Sequence, residues 1–138
     1  MLDKLFIYTD GGSRGNPGPA AIGVYIEDGK GVVLQKIAQK IGETTNNVAE
    51  YAAVIKALEW FKTSSFKSAI SNLYFFLDSR LVVNQINGLF KVKNGNLRNF
   101  ILKIRELEQE TKTKISYQLI PRRKNWQADK LVNQALDL

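Results

Sequence analysis

The chain has 138 residues, with 20 Lys and Arg against 13 Asp and Glu for a net charge of +7, and it contains neither Cys nor His. Without Cys there is no disulfide, thiolate zinc site, iron–sulfur cluster or cysteine nucleophile; without His there is no Ser-His-Asp triad, His-ligated metal or imidazole acid–base catalyst. What remains is chemistry by carboxylates, Lys, Tyr, Ser, backbone groups or a hard cation held through oxygen, such as Mg²⁺, Mn²⁺ or Ca²⁺.

The length suits one domain, residues 1–138, large enough to bury one real core, and an apolar content of 44% fits a globular chain. No apolar run approaches the ~18–20 residues that span a bilayer. The opening residues lack the basic-then-apolar order of a secretion signal. A cytoplasmic protein with no membrane association is expected. The positive balance suggests a polyanionic partner, of which nucleic acid is the commonest.

Residues 4–10 are rich in β-branched and aromatic side chains and apolar on both faces, which predicts a buried central strand ending at Asp10. Residues 11–19 hold two of the three prolines and a cluster of glycines, and predict a turn-rich loop. Residues 20–27 predict a second strand, Asp28 and Gly29 a hairpin turn, and residues 31–41 a third strand antiparallel to the second. Thr44, Thr45, Asn46 and Asn47 supply N-cap chemistry for a helix over 48–62, whose apolar stripe is Val48, Tyr51, Val54, Ile55, Leu58 and Phe61. Residues 72–77 predict another apolar strand, ending at Asp78, and Ser79 caps a short helix reaching residue 87. A helix over 97–109, a strand over 114–120 and a last helix over 126–136, capped by Asn125, complete the order βββαβααβα. A meander of three strands followed by two strands with helical crossovers implies a mixed, five-stranded sheet with helices on its faces.

Four acids stand out by position. Asp10 and Asp78 each end an apolar strand, Glu50 sits near the start of the first long helix, and Asp129 lies in the first turn of the last. Strand ends and following helix starts gather at one edge of such a sheet, where open α/β folds place their sites. Each acid alone has an ordinary reading, as a turn former or as a complement to a helix dipole. Gathered together they repel, and a hard divalent cation relieves the repulsion. Two Mg²⁺ would neutralise all four. The other nine acids against 20 bases leave a body of +11 around that pocket. Such a pocket suits a polyanion gripped over a two-metal site, in which the ions activate a water and stabilise the departing oxygen of a phosphodiester.

Four segments carry a resemblance: TDGGSRGNPGPA at residues 9–20, TTNNVAEY at 44–51, LDSRLVVNQI at 77–86 and NWQADKLVNQAL at 125–136. In that order, over nearly the whole chain, they resemble type 1 ribonuclease H. The resemblance implies a ribonuclease H-like α/β fold. It implies endonucleolytic hydrolysis of the RNA strand of an RNA–DNA hybrid, with Mg²⁺ or Mn²⁺, leaving 5′-phosphate and 3′-hydroxyl ends. Carried over, the catalytic and metal-binding acids are the same four, Asp10, Glu50, Asp78 and Asp129, with Asp10 bridging two ions. Substrate contacts carry over to Gly11, Gly12, Asn16, Asn46, Asn47, Ser79 and Arg80. Short amides and backbone groups can read a 2′-hydroxyl, glycines let the backbone come close, and for Asn46 and Asn47 simple N-capping is the alternative role, compatible with contact. No obligate protein partner is implied, and a monomer is expected.

The chain departs from the pattern in two places. Many relatives carry a His in the loop before the last Asp; here that connection, residues 121–129, reads PRRKNWQAD, which aligns Arg122, Asn125 and Asp129 with a variant branch. Arg122 or Arg123 then offers phosphate-directed charge near the site. The basic helical protrusion of other relatives is reduced to residues 88–95, where Lys91 and Lys93 are the charges. Trp126 is expected to pack against the sheet, with an aromatic substrate contact as its alternative role. Two other functions compete: a non-catalytic nucleic-acid-binding module, against which four convergent acids argue, and a nuclease of the same fold acting on duplex RNA or a DNA junction.

Overall fold

The structure, a computed structural model, describes residues 2–138. Its elements are β1 (Lys4–Ser13), β2 (Gly18–Asp28), β3 (Val33–Thr44), α1 (Asn46–Thr63), β4 (Asn72–Leu77), α2 (Arg80–Ile86), α3 (Gly95–Thr111), β5 (Lys114–Leu119), a 3-10 turn (Arg122–Asn125) and α4 (Trp126–Leu136). The sheet order is β3-β2-β1-β4-β5. β1, β2 and β3 pair antiparallel, whereas β1 with β4 and β4 with β5 pair parallel. The expected five-stranded mixed sheet is present in the expected order.

Alternation along β1 divides the sheet into two faces. Leu5 and Ile7, beside Leu73 and Phe75 of β4 and Val24 and Ile26 of β2, are fully buried against Tyr51, Val54, Leu58 and Phe61 of α1, with Ile104 and Leu107 of α3 behind. Phe6, Tyr8, Tyr74 and Phe76 point the other way and pack as a half-buried aromatic layer, with Tyr8 stacked on Phe76 at 5.0 Å. α4 lies on that second face, over the far half of β1 and β2, where Ala21, Val132 and Ala135 form a small cluster.

Cap chemistry sets the helix starts. Thr45 accepts from the Val48 amide, and Ser79 from the Val82 amide. α3 starts two residues before the expected Leu97 because Asn94 caps it, accepting from the amides of Asn96 and Leu97.

Three expectations are corrected. β1 does not end at Asp10. It runs on through the glycines to Ser13, pairing Gly11 with Ile22 and Gly12 with Ala21, so the loop shrinks to residues 14–17. β3 continues past residue 41, because a bulge leaves Ile41 without a β2 partner and puts Gly42 at φ 84° before pairing resumes. Trp126 does not pack away: it is 57% exposed at the first position of α4.

Candidate metal centre and nucleic-acid cleft

β1 and β4 share a ladder only as far as Tyr8 and Phe76. Past that pair β4 ends, β1 continues beside β2, and the two strands part. Asp10 and Asp78 face each other across the parting. The glycines then bring two helices in from opposite faces. A Cβ on Gly11 would lie 2.1 Å from the Ala49 carbonyl carbon, so α1 rests directly on β1 and delivers Glu50 beside Asp10. A Cβ on Gly23, the residue paired with Asp10, would lie 2.2 Å from the Ala128 oxygen, so α4 rests on β2 one residue from Asp129. Gly11 therefore makes room for a helix, while its backbone lines the cleft.

Asp10, Glu50 and Asp78 each offer one carboxylate oxygen, and the three oxygens lie within 4.8 Å of one another. Asp129 stands outside this trio, exposed on α4, where Asn133 Nδ2 donates to its carbonyl oxygen at 3.1 Å and to its Oδ2 at 3.4 Å. Its charge still reaches Asp10. Burial, then the charges of Asp78 and Asp129, push the Asp10 carboxyl up to about 8, with the Gly11 amide and Arg122 pulling the other way. Burial, then the charges of Asp10 and Asp78, push Glu50 up to about 9. One buried and one half-buried acid that resist ionisation beside a third, all with oxygen donors, are the donor set of a hard divalent cation, which would restore their ordinary acidity. The residues present fit Mg²⁺ or Mn²⁺.

The four acids line one cleft of about 330 Å³ with Gly11, Gly12, Ser79, Asn46 and Arg122. Asn16 is linked to the rim through Asn46: Asn46 donates its amide to Asn16 Oδ1 at 3.0 Å, while Asn46 Oδ1 accepts from the Ser13 amide at 2.8 Å. Asn47 and Arg80 are not brought into the lining; each follows a residue that is, Asn46 and Ser79. Arg123 is exposed on the 3-10 turn. Asn125 occupies the N-cap position of α4 but makes no side-chain cap bond. It is fully buried, and its Nδ2 donates to the Thr9 carbonyl and to Asp78 Oδ2, both at 2.9 Å.

Sequence reasoning missed Ser13, Arg14, Val132, Asn133 and Leu136, which also line the cleft. A signal was present: Val132, Asn133 and Leu136 follow Asp129 by three, four and seven, the spacing of one helix face. Arg14 is bound there to Asp137 at 2.6 Å and lies 3.4 Å from Asn133 Oδ1.

This β3-β2-β1-β4-β5 sheet with clustered acids at one edge defines an α/β protein of the ribonuclease H-like class. The reverse transcriptase-like family matches residues 8–135. LC11-RNase H1, isolated from compost, is 46% identical with a TM-score of 0.92, over 99% of this chain and 97% of that one. Its structure in complex with an RNA/DNA hybrid matches at 47% identity and TM-score 0.92, over 96% of each chain. Ribonuclease HI of Halobacterium salinarum is 38% identical over 97% of this chain and 65% of its own length. A bifunctional protein of Mycobacterium tuberculosis is 38% identical over 97% of this chain, which spans only 36% of that relative. The chain belongs to the ribonuclease H family. Among the described residues no helix is long and apolar enough to cross a membrane.

Proposed function

We propose that the protein is a metal-dependent endoribonuclease that hydrolyses the RNA strand of RNA–DNA hybrids. The observation that carries this reading is the convergence of Asp10, Glu50 and Asp78 within 4.8 Å, with Asp129 on the same cleft, in a body of strong positive charge. A pure binding module gains nothing from turning four acids toward phosphates. That LC11-RNase H1 was solved with a hybrid supports the choice of substrate.

Asp10, Glu50, Asp78 and Asp129 would hold two Mg²⁺, with Mn²⁺ as a substitute. A divalent cation held there would supply the charge for activating a water and stabilising the departing 3′ oxygen, and cleavage of that kind would leave 5′-phosphate and 3′-hydroxyl ends. The remaining work falls to the chain. Asn46 and Asn16 have spent their side-chain oxygens on backbone amides, so what they offer a ligand is NH₂ donors, suited to 2′-hydroxyl and phosphate oxygens. Gly11, Gly12, Asn47, Ser79 and Arg80 extend that contact surface on either side of the acids. Arg122 places a guanidinium at the rim, where it lowers the acids' pKa and attracts phosphate. It stands in the connection where many relatives carry a loop histidine, in a chain that has none. Phosphate attraction by such a surface is weak and salt-sensitive. We read residues 1–138 as one catalytic unit, monomeric and cytoplasmic, with no obligate protein partner.

The test is cleavage of labelled RNA–DNA hybrid, duplex RNA and duplex DNA in Mg²⁺, Mn²⁺ or EDTA, with Asp10→Asn alongside. Metal-dependent cutting of the hybrid's RNA strand, lost in Asp10→Asn, is expected. Cutting in EDTA, or full activity in Asp10→Asn, contradicts the mechanism. Binding without cutting in every metal assigns the protein to the binding-module class.

A further inference from the structure

The parting between β1 and β4 leaves Thr9 and Asp10 without a ladder to Asp78. Two carboxylates that repel therefore stand, one on β1 and one just past the end of β4, with no ladder between them to fix their separation. Asn125 fills this gap from the turn that feeds α4. Its amide nitrogen carries two hydrogens, and the structure supplies two acceptors for them: the carbonyl of Thr9, the residue before Asp10, and Oδ2 of Asp78, each at 2.9 Å. Both partners can only accept, which fixes the amide's orientation, because turned round Oδ1 would face a carbonyl and a carboxylate. Its own Oδ1 is buried with no partner, as is Thr9 Oγ1. Packing alone therefore does not account for an amide here. The site needs two donors on one uncharged nitrogen. Asp would present an oxygen to two oxygens, Ser offers one hydrogen on a shorter stem, and Lys would bury an extra charge.

We infer that Asn125 is a positioning residue for the metal centre: it ties Asp78 Oδ2 to the backbone of Asp10's strand, fixes the distance between the two acids before a cation arrives, and leaves the other Asp78 oxygen to bind it. Because Asn125 stands four residues before Asp129, the same side chain registers the start of α4 against both strands. Hydrogen-bonded support of a ligating carboxylate typically changes metal affinity about 10–100-fold. The inference rests on the reading that Asp10, Glu50 and Asp78 hold a divalent cation.

Mn²⁺ titration of the full chain by calorimetry, alongside the Mg²⁺ dependence of hybrid cleavage, tests it. Asn125→Ala is expected to weaken Mn²⁺ binding by about 10–100-fold and to raise the Mg²⁺ needed for half-maximal rate by a similar factor, with the hybrid KM at saturating Mg²⁺ unchanged. Asn125→Asp should lose more, and Asn125→Ser, which keeps one donor, less. Ile104→Val, a buried change in α3 remote from the cleft, should lower the melting temperature and leave Mn²⁺ affinity alone. The unaltered protein gives a second readout should the Asn125 variants fold poorly: the Asn125 side-chain amide protons should exchange slowly and shift in NMR spectra as Mg²⁺ is added. Mn²⁺ affinity within twofold of the unaltered protein in Asn125→Ala, or amide resonances indifferent to Mg²⁺, would assign Asn125 to the fold alone. No Mn²⁺ binding by the unaltered protein would overturn the metal reading itself, and the clamp with it.

Discussion

Along β1, Leu5 and Ile7 are wholly buried among Val24, Ile26, Phe61, Leu73 and Phe75, while three residues further on Asp10 is nearly as buried among Glu50, Asp78 and the charge of Asp129. The first half of the strand is held by apolar area removed from water. The second half carries repelling acids that burial makes harder to ionise. One element thus contains a stabilised region and a destabilised one, and the second is affordable only because the first is saturated. Open ladders, glycine contacts and shifted acids are concentrated where a ligand is needed, as expected of a site that stores unfavourable interactions until a cation relieves them.

Substitutions in the two regions should therefore have opposite signatures. Phe61→Ala, in the saturated half, should cost about 3–5 kcal/mol, read as a lower denaturation midpoint, with metal affinity and the rate per folded molecule retained in the cold. A large loss of metal binding in that variant would break the separation. Gly11→Ala joins the two regions. Its Cβ collides with the α1 backbone at Ala49, so the helix must shift and carry Glu50 with it. A loss of about 1–3 kcal/mol and a fall in activity should appear together. Stability lost without activity would show that Glu50 tolerates displacement.

Smaller and slower to emerge is the pH dependence. Asp10 and Glu50 have native pKa values raised to about 8 and about 9, above their ordinary 3.8 and 4.5. Between those limits the native state binds more protons than the unfolded chain, so metal-free stability is fullest below about pH 4 on account of these groups and is lost as pH rises through 8 to 9. Thermal melts in EDTA from pH 5 to pH 9 should decline, and saturating Mg²⁺ should flatten the decline. A metal-free melting temperature that rises over this range contradicts the assignment. The smallest effect is expected from Arg122→Ala, a few-fold loss in hybrid affinity or rate that shrinks as salt is raised. If both are unchanged at low salt, Arg122 has no part in the site.

Much of the molecule was legible beforehand because local signals agreed with tertiary ones. Caps at Thr45 and Ser79, a 3.6-residue stripe through Tyr51, Val54, Leu58 and Phe61, and apolar runs ending in Asp set the elements and their order. The same reading brought the four acids to one edge, and the structure places all of them on one cleft. What it could not see was set by partners distant in sequence. Glycines carry no side-chain alternation, so the last three residues of β1 looked like a loop until β2 paired with them. Asn125 offered the chemistry of a helix cap, and only the parting of β1 from β4 turned it into a buried clamp. The four acids looked equivalent, yet α1 and α4 approach from opposite faces, which gathers Asp10, Glu50 and Asp78 and leaves Asp129 outside. Trp126 carried no period to say which way it faced.

An acidic edge that is unstable by itself and relieved by a divalent cation must show both properties in one melting experiment. Thermal unfolding of the unaltered protein and of Asp10→Asn at pH 8, in EDTA and in rising Mg²⁺, tests this most directly. The unaltered protein should melt lower than Asp10→Asn in EDTA and gain stability as Mg²⁺ is added, while Asp10→Asn should respond little. An unaltered protein indifferent to Mg²⁺, or an Asp10→Asn variant that melts lower in EDTA, would contradict the account.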